Sequence, residues 1–227
     1  MTAGATALAR TPVGSVEAVW TDFGGVLTPP AEDSLVAFCA KVGIATHVLG
    51  SAVTAVAAYY GQRDPMAPLD IPLVSEHAWA RQVERVLARD FALEVDLGDP
   101  GEVWFADRPV NLEWLSYLDR LRTKGVFVGL LSNMVPTWNR HWQRMVPHDF
   151  FDGVVLSHEV GFRKPVPEIF AHAATVAGVR ADACVLIDDL AVNCAGAEAA
   201  GWRAIEFTGT AHAIDRLASW TGTWEGP

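Results

Sequence analysis

Cysteine is scarce: Cys39, Cys184 and Cys194 are the only three among 227 residues, and no two are spaced as a CxxC pair. An odd, unpaired set excludes a disulfide framework and reads as reduced core thiols, as expected of a cytoplasmic protein. Positive charge is scarce too. Seventeen Lys and Arg face 27 Asp and Glu, a formal net charge of −10 spread along the chain. Nucleic-acid binders concentrate basic residues on one face, so no nucleic-acid partner is expected; a small anion in a local basic pocket remains compatible. Long apolar runs are missing as well. The longest weakly apolar stretch, Val48 to Tyr60, has 13 residues, short of the ~20 that cross a bilayer, so no membrane partner is expected. The seven histidines show no close pair at metal-ligand spacing, which argues against zinc. The opening "MTAGATALARTPVG" lacks a charged start and an apolar centre and does not read as a signal peptide.

What is present is a chain 51% hydrophobic, enough for one domain or one domain with a second inserted. Residues 1–15 are small and polar and read as a flexible tail. A short apolar strand, Glu17 to Asp22, follows. From Pro29 to about Phe105 the spacing is helical, for example Ala78, Trp79, Val83, Val86 and Leu87 within Ser75 to Phe91. The stretch Arg63 to Leu73 reads as a loop. After Pro109 strands and helices alternate. Val110 to Lys124 is a helix with Leu112, Leu115, Leu118 and Leu121 on its apolar stripe. Val126 to Leu131 is a strand, Thr137 to Met145 a helix, and Gly153 to Ser157 a strand. Pro167 to Gly178 is a helix, Ala183 to Asp189 a strand, Ala191 to Gly201 a helix and "WRAIEF" a last strand. The runs do not alternate in polarity, as expected of strands buried on both faces. The fold class is therefore α/β: a doubly wound, Rossmann-like parallel sheet with an all-helical insertion. The boundaries are 16–28 and 106–227 for the core and 29–105 for the insertion.

Ligands of open α/β sheets bind beyond the carboxyl ends of the strands. Here the first strand ends in Asp22, the second in Ser132-Asn133 and the strand at Ala183 in Asp188-Asp189, while "GFRKP" brings Lys164 after Ser157. Clustered carboxylates repel unless a cation is present, which implies a hard divalent ion such as Mg²⁺. Lysine and serine can then hold the oxygens of a phosphate.

Together "DFGGVLT", "LLSN", "GFRKPVPEIF" and "LIDDLAVNCAGAEAAGW" resemble the four motifs of the haloacid dehalogenase-like (HAD) hydrolase superfamily. The helical insertion resembles the cap of its phosphatase- and dehalogenase-type branch. The resemblance implies Asp22 as nucleophile, Ser132 and Lys164 as catalytic partners, and Ser132, Asn133, Lys164 and Gly25 as substrate-binding residues. It also implies Mg²⁺ held by Asp22, the carbonyl of Gly24, Asp188 and Asp189. The function implied is Mg²⁺-dependent hydrolysis of a small phosphorylated metabolite through an aspartyl-phosphate. Alternatives are a 2-haloacid dehalogenase-type hydrolase and a catalytically inactive binding protein of the same fold. A homodimer is left open.

One position departs from the pattern. The superfamily's phosphatases usually carry a second Asp two residues after the nucleophile; here Gly24 stands there and can neither donate nor accept a proton. Either the leaving group departs unprotonated, as an anomeric sugar phosphate or acyl phosphate allows, or the cap supplies the proton from His47, His77 or Glu76, or activity is lost. "DFG" also marks a magnesium element in kinases, but no glycine-rich loop precedes it and no HRD follows. Arg163 reads as a surface residue, and Asn193 as either a helix-surface residue or a support for the site. Trp114, Trp202 and Trp220 are expected in the core. Trp79, Trp104, Trp138 and Trp142 are candidates for a substrate pocket or dimer surface.

Overall fold

The computed structural model describes residues 16–221; the tail expected over 1–15 lies outside them. Five parallel strands form one sheet in the order β3-β2-β1-β4-β5: β1 (Ala18–Thr21), β2 (Phe127–Ser132), β3 (Gly153–Leu156), β4 (Cys184–Asp188) and β5 (Arg203–Glu206). Side chains alternate across the sheet. Val19, Val128, Val185 and Ile187 enter one core layer, packed against helices α6 (Leu112–Thr123), α7 (Asn139–Met145) and α11 (Thr210–Thr221). Ala18, Trp20, Leu131 and Leu186 enter the other, with α9 (Pro167–Ala177) and α10 (Ala191–Ala199). A single turn, α8 (Ser157–Val160), follows β3. Both faces being covered is why the strand sequences are apolar without alternation. Gly129 is required at its place: a Cβ there would lie 2.4 Å from the Trp20 ring, which lies across the neighbouring strand.

Between β1 and α6 stand five helices: α1 (Ala31–Val42), α2 (Thr46–Tyr59), α3 (Ala67–Asp70), α4 (Glu76–Phe91) and α5 (Pro100–Phe105). They bury a cluster of their own around Phe38, Leu49, Val56, Trp79, Val83 and Leu87. Helix starts follow the capping residues: Ser75 Oγ accepts from Ala78 N–H, Asp99 from Glu102 N–H and Asn111 from Trp114 N–H. No single helix among the described residues is long and apolar enough to cross a membrane.

Local differences from the sequence reading have local causes. Leu112, expected on the apolar stripe of α6, is exposed, because Trp114, Tyr117, Leu118 and Leu121 take the buried face. The stretch Arg63 to Leu73 contains the short helix α3 rather than loop alone. Helix α11 was not expected, although Ala213, Ile214 and Leu217 carry helical spacing and are buried. Trp114 and Trp202 are buried as expected, and Trp220 packs at the core's edge.

Candidate active site

Strands β1 and β4 pair in register up to Thr21 and Ile187, and Asp22 N–H donates to the Ile187 carbonyl at 2.9 Å. The next residues of the two strands, Asp22 and Asp188, therefore stand side by side where the strand order reverses, which is where open α/β sheets bind ligands. Asp189 joins them. Carboxylate oxygens of Asp22, Asp188 and Asp189 all lie within 4.8 Å of one another.

Lys164 is inserted among these acids with only 1% of its surface exposed. Its Nζ donates to Asp22 Oδ1 at 2.8 Å and to Asp188 Oδ2 at 2.5 Å. Burial alone would depress this ammonium; the two carboxylates outweigh it and hold Lys164 above the ordinary lysine value. The other oxygen of Asp188 accepts from Leu190 N–H at 3.0 Å and Asn193 Nδ2 at 2.9 Å. Asn193 is thus the buried support of Asp188, which resolves its two readings. Asn133 grips Lys164 from both sides: its Oδ1 accepts the Lys164 N–H at 2.8 Å and its Nδ2 donates to the Lys164 carbonyl at 3.0 Å. Asp189 is pushed up to about 7, first by burial and then by Asp22 and Asp188. Three hard oxygen donors gathered this closely, with burial and mutual repulsion both opposing their charge, suit a hard divalent cation.

Asp22, Gly24, Ser132, Asn133, Lys164 and Asp189 line one cavity of about 290 Å³; Asp188 lies behind Lys164. Gly25, expected to bind substrate, is outside that lining. Its N–H is given to the Pro29 carbonyl at 3.2 Å, and what it contributes is room. At φ +77°, a Cβ on Gly25 would sit 1.9 Å from Asp189 Oδ2, so glycine is what lets the turn pass beneath that carboxylate.

Other expectations are corrected. His47 and His77 are exposed. Glu76 is buried but engaged by Trp138 Nε1 at 2.6 Å and by Thr137 Oγ1. None of the three lines the cavity of Asp22. Arg163 is not a plain surface residue: it lines this cavity and pairs with Asp64 and Asp70 at 3.0 Å each, tying the cap to the core at the cleft. Trp142 is fully buried against Phe23 and Phe151 and does not line this cleft. Trp104 and Trp138 do line the cleft.

Arg108 was missed. It arrives from the segment joining the cap to α6, donates from Nη2 to the Pro29 carbonyl at 2.8 Å, and lies over the Trp104 and Phe105 rings. Its Nε is buried and, among the described residues, has no acceptor. Burial pulls it down to about 10, opposed by Asp22 and Asp189, so it is charged at neutral pH. Nothing in its local sequence marks it; its place follows from the return of the chain out of the cap.

A buried acid cluster crossed by a lysine, with two arginines at its mouth, can bind an anion and attack it with Asp22. A 94-residue segment is 35% identical to a glyceraldehyde 3-phosphate phosphatase of Methanothermobacter thermautotrophicus, covering 40% of this chain and 41% of that protein. The chain thus aligns with about two fifths of that relative's length. A protein of Porphyromonas gingivalis predicted to be a HAD-like family hydrolase superposes with a TM-score of 0.64 at 24% identity, over 89% of this chain and 97% of that one. A HAD family enzyme of Bacteroides thetaiotaomicron, crystallised as a magnesium complex, superposes with a TM-score of 0.64 at 20% identity, over 89% and 99%. These two likenesses speak for the fold. The family model of haloacid dehalogenase-like hydrolases matches residues 16–201, and the chain belongs to that family.

Proposed function

We propose that the protein hydrolyses phosphate monoesters with a divalent cation, Mg²⁺, through a phosphorylated Asp22. The observation that carries this reading is Lys164 buried between Asp22 and Asp188 with Asp189 alongside. A halide-displacing carboxylate needs no such acidic set, which ranks the dehalogenase reading second. The phosphatase relative supports the same choice.

Asp22, Asp188, Asp189 and the Gly24 carbonyl would hold the cation, which, when bound, offsets the negative charge gathered by the carboxylates and the phosphoryl group. Lys164 and Arg108 neutralise the phosphoryl oxygens, Ser132 donates a hydrogen bond to one, and Asn133 fixes Lys164 through its backbone. Asp22 attacks phosphorus as the ester oxygen departs in line, and water then attacks the phosphorus of the acyl phosphate, breaking its bond to Asp22 and releasing phosphate and the free carboxylate. No carboxyl stands at Gly24 to protonate the departing oxygen, so leaving groups that are stable as anions are preferred. Phosphate release from phenyl phosphate against glycerol 3-phosphate, with Mg²⁺ and with chelator, tests the reading. Release that is independent of metal for every ester, or no release at all, overturns it.

The Gly24 site has space for an acid. A Cβ there meets only Arg108 Nη2, at 3.9 Å. Gly24→Asp should raise turnover of glycerol 3-phosphate at least about tenfold, toward the ~10²–10⁴ that a general acid contributes, and change phenyl phosphate little. An equal response of both esters counts against the missing-acid account.

Metal occupancy has a second readout in stability. The folded pKa of Asp189, about 7, lies above the ~3.9 of an unfolded aspartate. Protonated Asp189 therefore favours the fold, and without metal that contribution is full below about pH 4 and lost as pH rises through about 7. Chelated protein should melt at falling temperatures between about pH 4 and 7, and Mg²⁺ should flatten the decline. A slope insensitive to Mg²⁺ removes the acid cluster as its site.

A further inference from the structure

Inside the cap lies a second cavity, about 400 Å³, walled by Leu35 and Phe38 of α1, Leu49 and Val53 of α2, Leu69 of α3 and Trp79 of α4. Ligand pockets span roughly 300–1,000 Å³, and this one falls within that range. The cavity adjoins the catalytic cleft: Ala31, Met66, Trp104 and Trp138 line both. Its one buried carboxylate, Glu76, is already satisfied by Trp138 Nε1 and Thr137 Oγ1.

We propose that this chamber receives the apolar body of the substrate, so that the ester hydrolysed at Asp22 is an amphiphilic phosphate: a charged head among Lys164, Arg108 and Asp22, and a hydrocarbon or aryl portion in the cap. The inference rests on the phosphatase reading for its chemistry and on the shared lining for its direction. What enters the chamber from the cleft is the part of the molecule beyond the phosphoryl group. A sugar body is disfavoured there, since its hydroxyls would lose water and meet aliphatic and aromatic walls. A phenol-type ester satisfies both features at once, because a phenolate leaves without protonation and its ring and substituents are apolar. This moves the preferred leaving group away from sugar phosphates.

Gly50 offers a way to close the chamber. It lines the cavity from within α2, and a Cβ added there meets nothing within 4 Å. Leucine at this point extends into open space, and in a helix interior it improves on glycine, so Gly50→Leu should melt no lower than wild type.

The test uses n-alkylphosphonates from methyl to octyl, which are not hydrolysed, titrated by calorimetry in the presence of Mg²⁺ into wild type and Gly50→Leu. In wild type the dissociation constant should fall about threefold per added methylene until the chamber is full. In Gly50→Leu the octyl-to-methyl affinity ratio should collapse at least about tenfold. Affinity independent of chain length in wild type, a ratio unchanged in the variant, or no phosphonate binding at all overturns the proposal. Phosphate release from 4-alkylphenyl phosphates, whose leaving-group acidity stays nearly constant along the series, separates the two readings. Chain-length-dependent binding without any release overturns the phosphatase reading and leaves the chamber's; release with no dependence on the alkyl chain overturns the chamber's and leaves the phosphatase reading.

Discussion

Asp22→Asn is expected to cut Mg²⁺-dependent phosphate release from phenyl phosphate by at least about four orders of magnitude, as loss of a covalent nucleophile does. The amide has nearly the shape of the carboxylate, so the cleft keeps its outline, and Lys164 retains Asp188 at 2.5 Å. Binding of a phosphonate should therefore survive while turnover does not. Residual release above about one hundredth of wild type would mean that water attacks phosphorus directly, and Asp22 would be left with a role in holding charge.

The second large effect is on the fold. Lys164→Met replaces a side chain 1% exposed by an apolar one of similar length and leaves Asp22 and the wholly buried Asp188 facing each other without a cation. Breaking a buried ion pair from one side costs about 3–5 kcal/mol. For a chain of this size that lowers the melting temperature by roughly 6–20 °C. The loss should be greatest in chelator at neutral pH. It should shrink with Mg²⁺, which replaces the missing positive charge, and on acidification, which removes the negative charges. A variant that melts like wild type in chelator would show that the fold does not depend on Lys164 to offset Asp22 and Asp188.

The strand ends were legible in the sequence because a strand buried on both faces is an apolar run, and a polar residue closing such a run stands where open α/β sheets bind ligands. Asp22, Ser132 and Asp188 announce themselves in that way, and Lys164 follows from its place before "PVPEIF". The parallel sheet was legible for the same reason, since "VFVGLL" and "ACVLID" are too short for helices and too uniform for half-exposed strands. The cleft's other wall was not legible. Arg108, Asp70 and Arg163 meet only after five helices have folded over the sheet, and each is locally an ordinary charged residue beside a turn. The histidines drew attention as proton donors by residue type alone, and the structure leaves His47 and His77 on the outside. Gly25 marks a close approach of the backbone, and the side chain it approaches is that of Asp189.

Trp104 belongs to the cap and Trp138 to the core, and their rings stack with centroids 5.7 Å apart and planes 20° from parallel. Two indoles held this way couple their electronic transitions, and the coupling depends steeply on separation and mutual angle. The contact between the two halves thus carries its own optical gauge. Circular dichroism in the indole bands registers whether the halves are engaged, without any attached dye, and a Trp138→Phe control isolates that pair from the other seven tryptophans among the chain's nine.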